Sequence, residues 1–343
     1  MEKFKSFITE ADIKPYRFLN LIHDTPDDPN TTGDQMVDEA KKLGINSYQL
    51  NVQHGYFTTN EKGNLVAHNY SIQETSPNVS NNDPVVEHDK KGWEVTPDNT
   101  IAIVRVAMGR GSTLAEQLRL HGVKTVNSRY CQMVCDDKWL NYIVMKVAGL
   151  KQPKTAILTH EDNLDLPIEE IGGKYPMILK TTQGTKGVGV IFIDSRKTLL
   201  ATMQLINKID EDITMVVQEF IKTPYDVRVM ILNGEVVAQL KRDVITNDFR
   251  SNISQGQEPK KIKLTELEKS ECVKAAKSVD GFWVGVDFIP SKDREKERPY
   301  FIEVNSSPGT KYINELNNIN VHKMVVETLK DRDNWTLDNS TQN

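Results

Sequence analysis

The chain has 343 residues, 38% of them hydrophobic and 27% charged, the proportions of a globular protein with a sizeable core. A net charge of −5 argues against a general nucleic-acid binder, which would carry a basic stripe, and no apolar run approaches the roughly 18 residues that cross a bilayer. The amino terminus, MEKFKSFITEADIKPYRF, is charged throughout and lacks a signal-peptide core, so the sequence predicts a cytoplasmic protein without membrane contact.

A prior of about 150 residues per domain predicts two or three units. The first, residues 1–136, reads as a small α/β domain. Its expected elements are a strand at Tyr16–Ile22, a turn cluster at Asp24–Asn30, a helix at Thr32–Leu43 stopped by Gly44, and a strand at Ser47–Val52. Residues 58–99, rich in Asn, Asp, Ser and Pro, read as a long loop or hairpin insertion. A strand at Ile101–Val106 follows. Thr113 and Glu116 have the spacing of a capping box opening a helix that Gly122 closes. Strand and helix in alternation predict a parallel sheet with covering helices. Cys131, Cys135 and Cys272 match neither a disulfide framework nor a zinc-ligand spacing and read as idle thiols of a reducing compartment.

A second unit, 137–217, opens with a helix at Lys138–Ala148 ended by Gly149, then strands at Thr155–Leu158, Met177–Thr181 and Val188–Ile193 and a helix at Arg196–Lys208. The third, 218–333, is mostly strand: Thr214–Phe220 leads in, then Asp226–Leu232, Glu235–Arg242, Trp283–Ile289 and Pro299–Val304. A capping box at Thr265 and Glu268 opens a helix to about Val279, a last helix covers Val321–Leu329, and 334–343 is a polar tail.

Three constellations carry chemistry. In Lys180-Thr-Thr-Gln-Gly184-Thr185-Lys186-Gly187-Val-Gly189 an apolar strand flanks a G-x-x-G-x-G loop on each side. Without Cβ atoms its N–H groups can approach phosphate oxygens, and Lys180 and Lys186 could sit on a polyphosphate. The spacing is neither a Walker loop nor a dinucleotide loop, and a mobile unliganded turn is the alternative. Near the end, Gly285-Val-Asp287-Phe-Ile289 and Tyr300-Phe-Ile-Glu303-Val-Asn305 put oxygen side chains on apolar strands, with Glu303 and Asn305 on one face. Such hard donors suit Mg²⁺ if the strands are neighbours; a salt-bridge cluster is the plainer reading. Between them, Arg228, Lys241 and Arg242 on strands and Arg250 in a loop could clamp a phosphate or carboxylate, or could simply face solvent. The strand around Gln218-Glu219-Phe220-Ile221 could hydrogen-bond an adenine edge.

In order, the blocks GTKGVG, VQEFIK, DVR, NDFRSNISQG and GVDF…EVNSSPG resemble the ATP-grasp superfamily, and within it the RimK-type α-L-glutamate ligases, over about residues 100–330. The resemblance implies an α/β (α+β) ATP-grasp fold: a parallel-sheet domain, a lid subdomain and a mostly antiparallel carboxy-terminal subdomain. It implies ATP phosphates on Lys138 and Lys180, a lid of Gly184, Thr185, Lys186, Gly187 and Gly189, and adenine and ribose against Gln218, Glu219, Phe220 and Ile221 with Asp226 assisting. Lys241 and Arg242 fall with the nucleotide, two Mg²⁺ ions (Mn²⁺ a possible substitute) on Asp287, Glu303 and Asn305, and Arg228, Arg250 and Asn252 toward the acyl-phosphate and incoming substrate. The implied partners are an amino-acid donor and a peptide, protein-tail or small carboxylate acceptor, in a homodimer or tetramer. A hydroxyl kinase on the same scaffold and a non-catalytic ATP-binding module are the rival readings. Phe220, the charged hairpin 291–298 and the 58–99 insertion depart from the family pattern.

Overall fold

The computed structural model describes residues 16–23, 31–73, 85–88, 91–106, 109–184, 189–244 and 258–331. The polar tail 334–343 lies outside them. The chain forms two compact units, one comprising the residues up to Val126 and again from His322, the other running from Asn127 to Val321.

The first unit contains β1 (Arg17–Ile22), α1 (Thr31–Lys42), β2 (Ser47–Asn51), β3 (Gly55–Thr59), β4 (Leu65–Gln73), β5 (Val85–His88), β6 (Trp93–Val95), β7 (Thr100–Val104), α2 (Arg110–Leu120) and β8 (Lys124–Val126). Strands β2, β1, β7 and β8 lie in that order and are all parallel. Period two sends Leu19 and Leu21 of β1 into a core with Leu50, Val104, Leu114 and Leu118. Leu65, Ala67 and Val95 join that core, so the described part of the 58–99 stretch is strand rather than loop: β3, β5 and β6 each pair antiparallel with β4.

The helix expected to open at Thr113 begins three residues earlier. Gly109 turns the chain with φ 66°, a region that favours glycine, and α2 starts at Arg110. The Thr113 amide already donates within the helix, to the Gly109 carbonyl at 3.3 Å, and Glu116 pairs with Arg119 at 2.7 Å. The helix ends where expected: Gly122 N–H bonds to the Arg119 carbonyl and Val123 N–H to that of Leu118, a Schellman closure.

The second unit starts with α3 (Arg129–Asp136) and α4 (Lys138–Val147), then β9 (Thr155–Leu158), α5 (Asp165–Glu170), β10 (Met177–Thr181), β11 (Val190–Ile193), α6 (Arg196–Ile209) and β12 (Met215–Glu219). These four strands form an antiparallel sheet in the order β11-β10-β12-β9. One face is buried through Leu158, Met177, Leu179, Ile193 and Val217 against Ile168, Leu199 and Met203 of α5 and α6.

A second antiparallel sheet, ordered β14-β13-β15-β16, comprises β13 (Tyr225–Leu232), β14 (Glu235–Asp243), β15 (Trp283–Ile289) and β16 (Tyr300–Asn305). Asn233 and Gly234, both at positive φ, make the two-residue turn that joins β13 to β14. Val227, Val229, Val284, Val286 and Val304 bury the helix side of this sheet against α3, α4 and α7 (Glu266–Ser278). At the start of α7, the Thr265 hydroxyl accepts from Glu268 N–H and the Glu268 carboxylate accepts from Thr265 N–H, the predicted capping box. On the outer edge of β14, Lys241 exchanges backbone hydrogen bonds with Lys260, and Asn317 of α8 (Lys311–Asn317) bonds both backbone groups of Gln239. The charged hairpin 291–298 folds onto α7: Arg294 grips Glu268, and Arg298 grips Glu271 and the Gly149 carbonyl. The last helix, α9 (Val321–Leu329), lies at the predicted position.

Candidate active site

The face of the second sheet opposite its helices carries a line of charges. Register sets Arg242 of β14 opposite Asp226 of β13, Arg228 opposite Asp287 of β15, and Asp287 opposite Glu303 of β16. Arg228 donates Nε–H to Asp287 Oδ1 at 2.7 Å and Nη2–H to Oδ2 at 2.6 Å. Arg242 grips Asp226 the same way, at 2.6 and 2.7 Å, and reaches Asp287 Oδ2 at 2.9 Å. Asp287 and Arg242 are nearly buried, with side chains 4% and 7% exposed. Burial by itself would raise the Asp287 carboxyl, but the Arg228 and Arg242 guanidiniums overcome it and hold the group down at about 2. Burial likewise opposes the charge on Arg242, and Asp287 and Asp226 override it, pushing its pKa up. The β15–β16 ladder bulges just after Asp287, shifting register before pairing resumes at Phe288 and Phe301.

Glu303 and Asn305 stand on the same face of β16, with Asn305 Nδ2 donating to Glu303 Oε1 at 3.0 Å. Two lysines join Glu303 from the lid side. Lys138 opens α4, whose amino end is capped by the Asp137 carboxylate; its N–H bonds the Thr182 carbonyl and its ammonium bonds the Gly184 carbonyl, both at 2.8 Å. Lys180 lies on β10 and donates to Gln218 Oε1 at 2.7 Å. Burial lowers Lys180 to about 8, against the raising influence of Glu303 and with a further lowering from Lys138. Lys138 is lowered too, by burial first, with Glu303 and Asp137 opposing. Two ammoniums around one glutamate are an anion site with its counter-charge built in.

The open face of the lid sheet presents Ile157, Ile178, Val190, Phe192 and Val216 around Lys180 and Gln218. Gln218 passes a second hydrogen bond, Nε2–H to Thr155 Oγ1 at 2.8 Å, and Thr155 donates to the Pro153 carbonyl. Lys180 is thus held by a chain of neutral polar groups. Phe220 meets Phe192 edge-on, centroids 5.4 Å apart. Glu219 ties back to Lys154: its N–H donates to the Lys154 carbonyl and its carboxylate accepts from Lys154 N–H. Ile221 follows, half-buried. At the loop's far end Gly189 has φ 78° and closes on Thr181, whose hydroxyl a Cβ would approach to 2.7 Å.

Not all the expected residues gather here. Lys241 lies on the other face of β14 from Arg242, its ammonium 4.8 Å from the centroid of the Tyr225 ring and near Asp243; adjacent strand residues point to opposite faces. Thr185, Lys186, Gly187, Arg250 and Asn252 lie outside the described residues. Thr155 and Phe192, which complete the lid face, went unnoticed in the sequence, although the pairing of alternate residues on three strands pointed to them.

Among the described residues no cluster of three or more His, Cys, Asp or Glu could hold a metal alone. The candidate ligands Glu303, Asn305 and Asp287 each offer oxygen, and Asp287 keeps lone-pair capacity on Oδ1 beyond its single arginine bond there. That set fits Mg²⁺, which takes one or two carboxylates and completes its shell with water and phosphate.

A family model, the RimK-like ATP-grasp domain, matches residues 135–329. A probable alpha-L-glutamate ligase of Psychromonas ingrahamii is 32% identical over 222 residues, covering 64% of this chain and 71% of that protein. A Chryseobacterium gregarium RiPP-associated ATP-grasp ligase, solved with ADP and a leader and core peptide, superposes with a TM-score of 0.66 at 14% identity, covering 91% of this chain and 96% of that one. The ATP-grasp ligase PsnB, solved with a minimal precursor, Mg and ADP, gives 0.63 at 15% identity, with 91% and 96% covered. The fold is that of the ATP-grasp ligases. The chain belongs to the RimK-like ATP-grasp family and is, with it, an enzyme that forms C–N bonds.

Proposed function

We propose that this ligase uses ATP to join an amino acid, glutamate first among the candidates, to the carboxyl end of a peptide or protein through an acyl-phosphate. The observation that carries the reading is the convergence of Lys138 and Lys180 on Glu303, one strand from the Arg228–Asp287 pair. The glutamate ligase name of the Psychromonas relative supports the donor, and the peptide-bound ligases support the acceptor class.

Two anions, a carboxylate and the γ-phosphate, have to meet before anything reacts. Lys180 and Lys138 supply positive charge at the lid, already placed by Gln218 and the Gly184 carbonyl. Preorganised charge of this kind is worth roughly 2.7–4 kcal/mol per well-placed donor. Ile178, Phe192 and Phe220 offer the purine an apolar bed, with the backbone of Gln218–Ile221 at its edge. Bound Mg²⁺, or Mn²⁺ in its place, would neutralise phosphate charge, held by Glu303, Asn305 and Asp287. The carboxylate oxygen takes the γ-phosphoryl group and ADP departs; the amine then attacks the acyl carbon, loses a proton and displaces phosphate. On this reading Arg228, Arg250 and Asn252 serve that second step, and the glycine loop excludes the water that would hydrolyse the acyl-phosphate.

Incubation with ATP, Mg²⁺, a peptide and a panel of amino acids, read by mass, tests the reaction. A glutamate-sized mass increase on the peptide is the expected product. Hydroxylamine should trap a hydroxamate; phosphorylated substrate without hydroxamate would make the protein a hydroxyl kinase instead. Arg250→Ala is expected to bind ATP and lose ligation, and unchanged turnover in an ADP-release assay would remove Arg250 from the site. No helix among the described residues is long and apolar enough to cross a membrane; we place the enzyme in the cytoplasm, as a dimer or tetramer that light scattering would resolve.

A further inference from the structure

Strand β16 is the last of its sheet, so β15 satisfies only one of its edges. The other edge is answered at Phe301 by the Lys151 carbonyl and, beside the metal-site oxygens, by side chains. Asn141, buried on α4, donates Nδ2–H to the Val304 carbonyl at 3.0 Å and accepts Val304 N–H at 3.2 Å, reproducing both bonds of a neighbouring strand. Asn127 bonds the Ser306 carbonyl one step further on and ties it to the start of β15. Its Nδ2 donates to the carbonyls of Ser306 and Trp283 at 2.7 and 2.8 Å, and its Oδ1 accepts from Phe282 and Trp283 N–H at 2.9 and 2.8 Å. All four of its hydrogen-bonding positions are used, and Gln132 in turn bonds the Asn127 carbonyl.

Val304 lies between Glu303 and Asn305, and Ser306 follows Asn305. The two amides therefore clamp the backbone on both sides of Asn305 and just after Glu303. We infer that Asn141 and Asn127 are positioning residues: by fixing the Val304 and Ser306 peptide groups, they set the orientation of Glu303 and Asn305 toward the cation. The inference rests on the metal site proposed above. A ligand's supporting bonds matter to the ion because an unsupported edge strand can tilt, and a cation that demands near-ideal octahedral geometry tolerates little tilt.

The test is a Mn²⁺ titration followed by electron paramagnetic resonance, with a non-hydrolysable ATP analogue bound to the full chain. Wild type, Asn141→Ala, Asn127→Asp and a core control, Cys272→Ala on α7, are compared after circular dichroism confirms folding. Asn141→Ala and Asn127→Asp are expected to bind Mn²⁺ about 10- to 100-fold more weakly, while binding the metal-free analogue as wild type does. Cys272→Ala, which loosens the same core but leaves both asparagine clamps in place, should bind Mn²⁺ as wild type. Equal Mn²⁺ affinity in the asparagine variants would overturn the inference and leave the metal site standing. Wild type that retains no more Mn²⁺ than the analogue alone would overturn the metal site itself. If Asn141→Ala does not fold, Asn141→Ser enters the titration under the same two outcomes.

Discussion

Arg228 and Asp287 face each other across β13 and β15 in a two-pronged ion pair, at 2.7 and 2.6 Å, and Arg242 closes on the same carboxylate from one side at 2.9 Å. The carboxylate that the metal reading requires is therefore already ionised and aimed before nucleotide arrives. Its neighbours divide the labour: Arg242 is buried and locked to Asp226, whereas Arg228 keeps a side chain 20% exposed toward the open face.

That division predicts different losses. Arg242→Ala removes both arginine bonds of Asp226 and one of the three at Asp287 in a buried setting and should cost about 3–5 kcal/mol of stability, read as a lower urea midpoint. Arg228→Lys keeps the charge and loses the fork. It should leave the urea midpoint close to wild type and depress ligation, seen as lower kcat at saturating ATP.

Acid should undo the same network. The folded Asp287 pKa, about 2, lies below the ordinary aspartate value of about 3.9. Its contribution to stability is complete above the unfolded value and disappears as pH falls through the folded one. The urea midpoint should therefore decline from about pH 4 toward pH 2, and the decline attributable to this group should be absent in a variant already lacking Arg228 and Arg242.

Lys180 predicts an alkaline limb. Burial holds its pKa at about 8, so the free enzyme loses this charge above that pH. The value of kcat/KM for ATP, which reports the free enzyme, should fall above about pH 8. Lys180→Arg, charged throughout the range, should flatten that limb whatever it does to the absolute rate. For stability the sign is opposite: between pH 8 and the unfolded lysine value near ~10.4 the unfolded chain binds the extra proton, so the fold gains as pH rises.

A purely structural prediction sits at α7. Thr265→Ala removes the hydroxyl of the capping box and should cost about 1 kcal/mol in urea denaturation. The cap lies on the helix side of the sheet, and KM for ATP should stay as in wild type.

Much of this site was legible because strands announce their faces. Asp287, Glu303 and Asn305 stand out as polar positions in apolar period-two text, and the alternation alone puts Glu303 and Asn305 together. The same rule separates Lys241 from Arg242, adjacent residues that one strand cannot turn to one face. Partners were harder to read. Arg228 meets Asp287 only because β13 pairs with β15 in this register, and Arg242 meets Asp226 only because a bulge between Met230 and Ile231 shifts by one residue the register that the turn at Asn233 and Gly234 begins. Asn127 and Asn141 left no pattern at all, since they bind backbone groups and any strand sequence has those. The start of α2 was misplaced because a capping-box spacing at Thr113 competed with a glycine turn at Gly109, and the turn, which fixes the chain direction, prevailed.

The clothing of the second sheet's outer strands bears on how copies of the enzyme could associate. The backbone rungs at Gln239 and Lys241 on one border, and at Phe301, Val304 and Ser306 on the other, are already spoken for by Asn317, Lys260, Lys151, Asn141 and Asn127. A foreign strand finds those rungs occupied, so neither continuous-sheet dimers nor fibril seeding can begin at them while the unit stays folded. Loss of the amide clamps would expose the very border that carries Glu303.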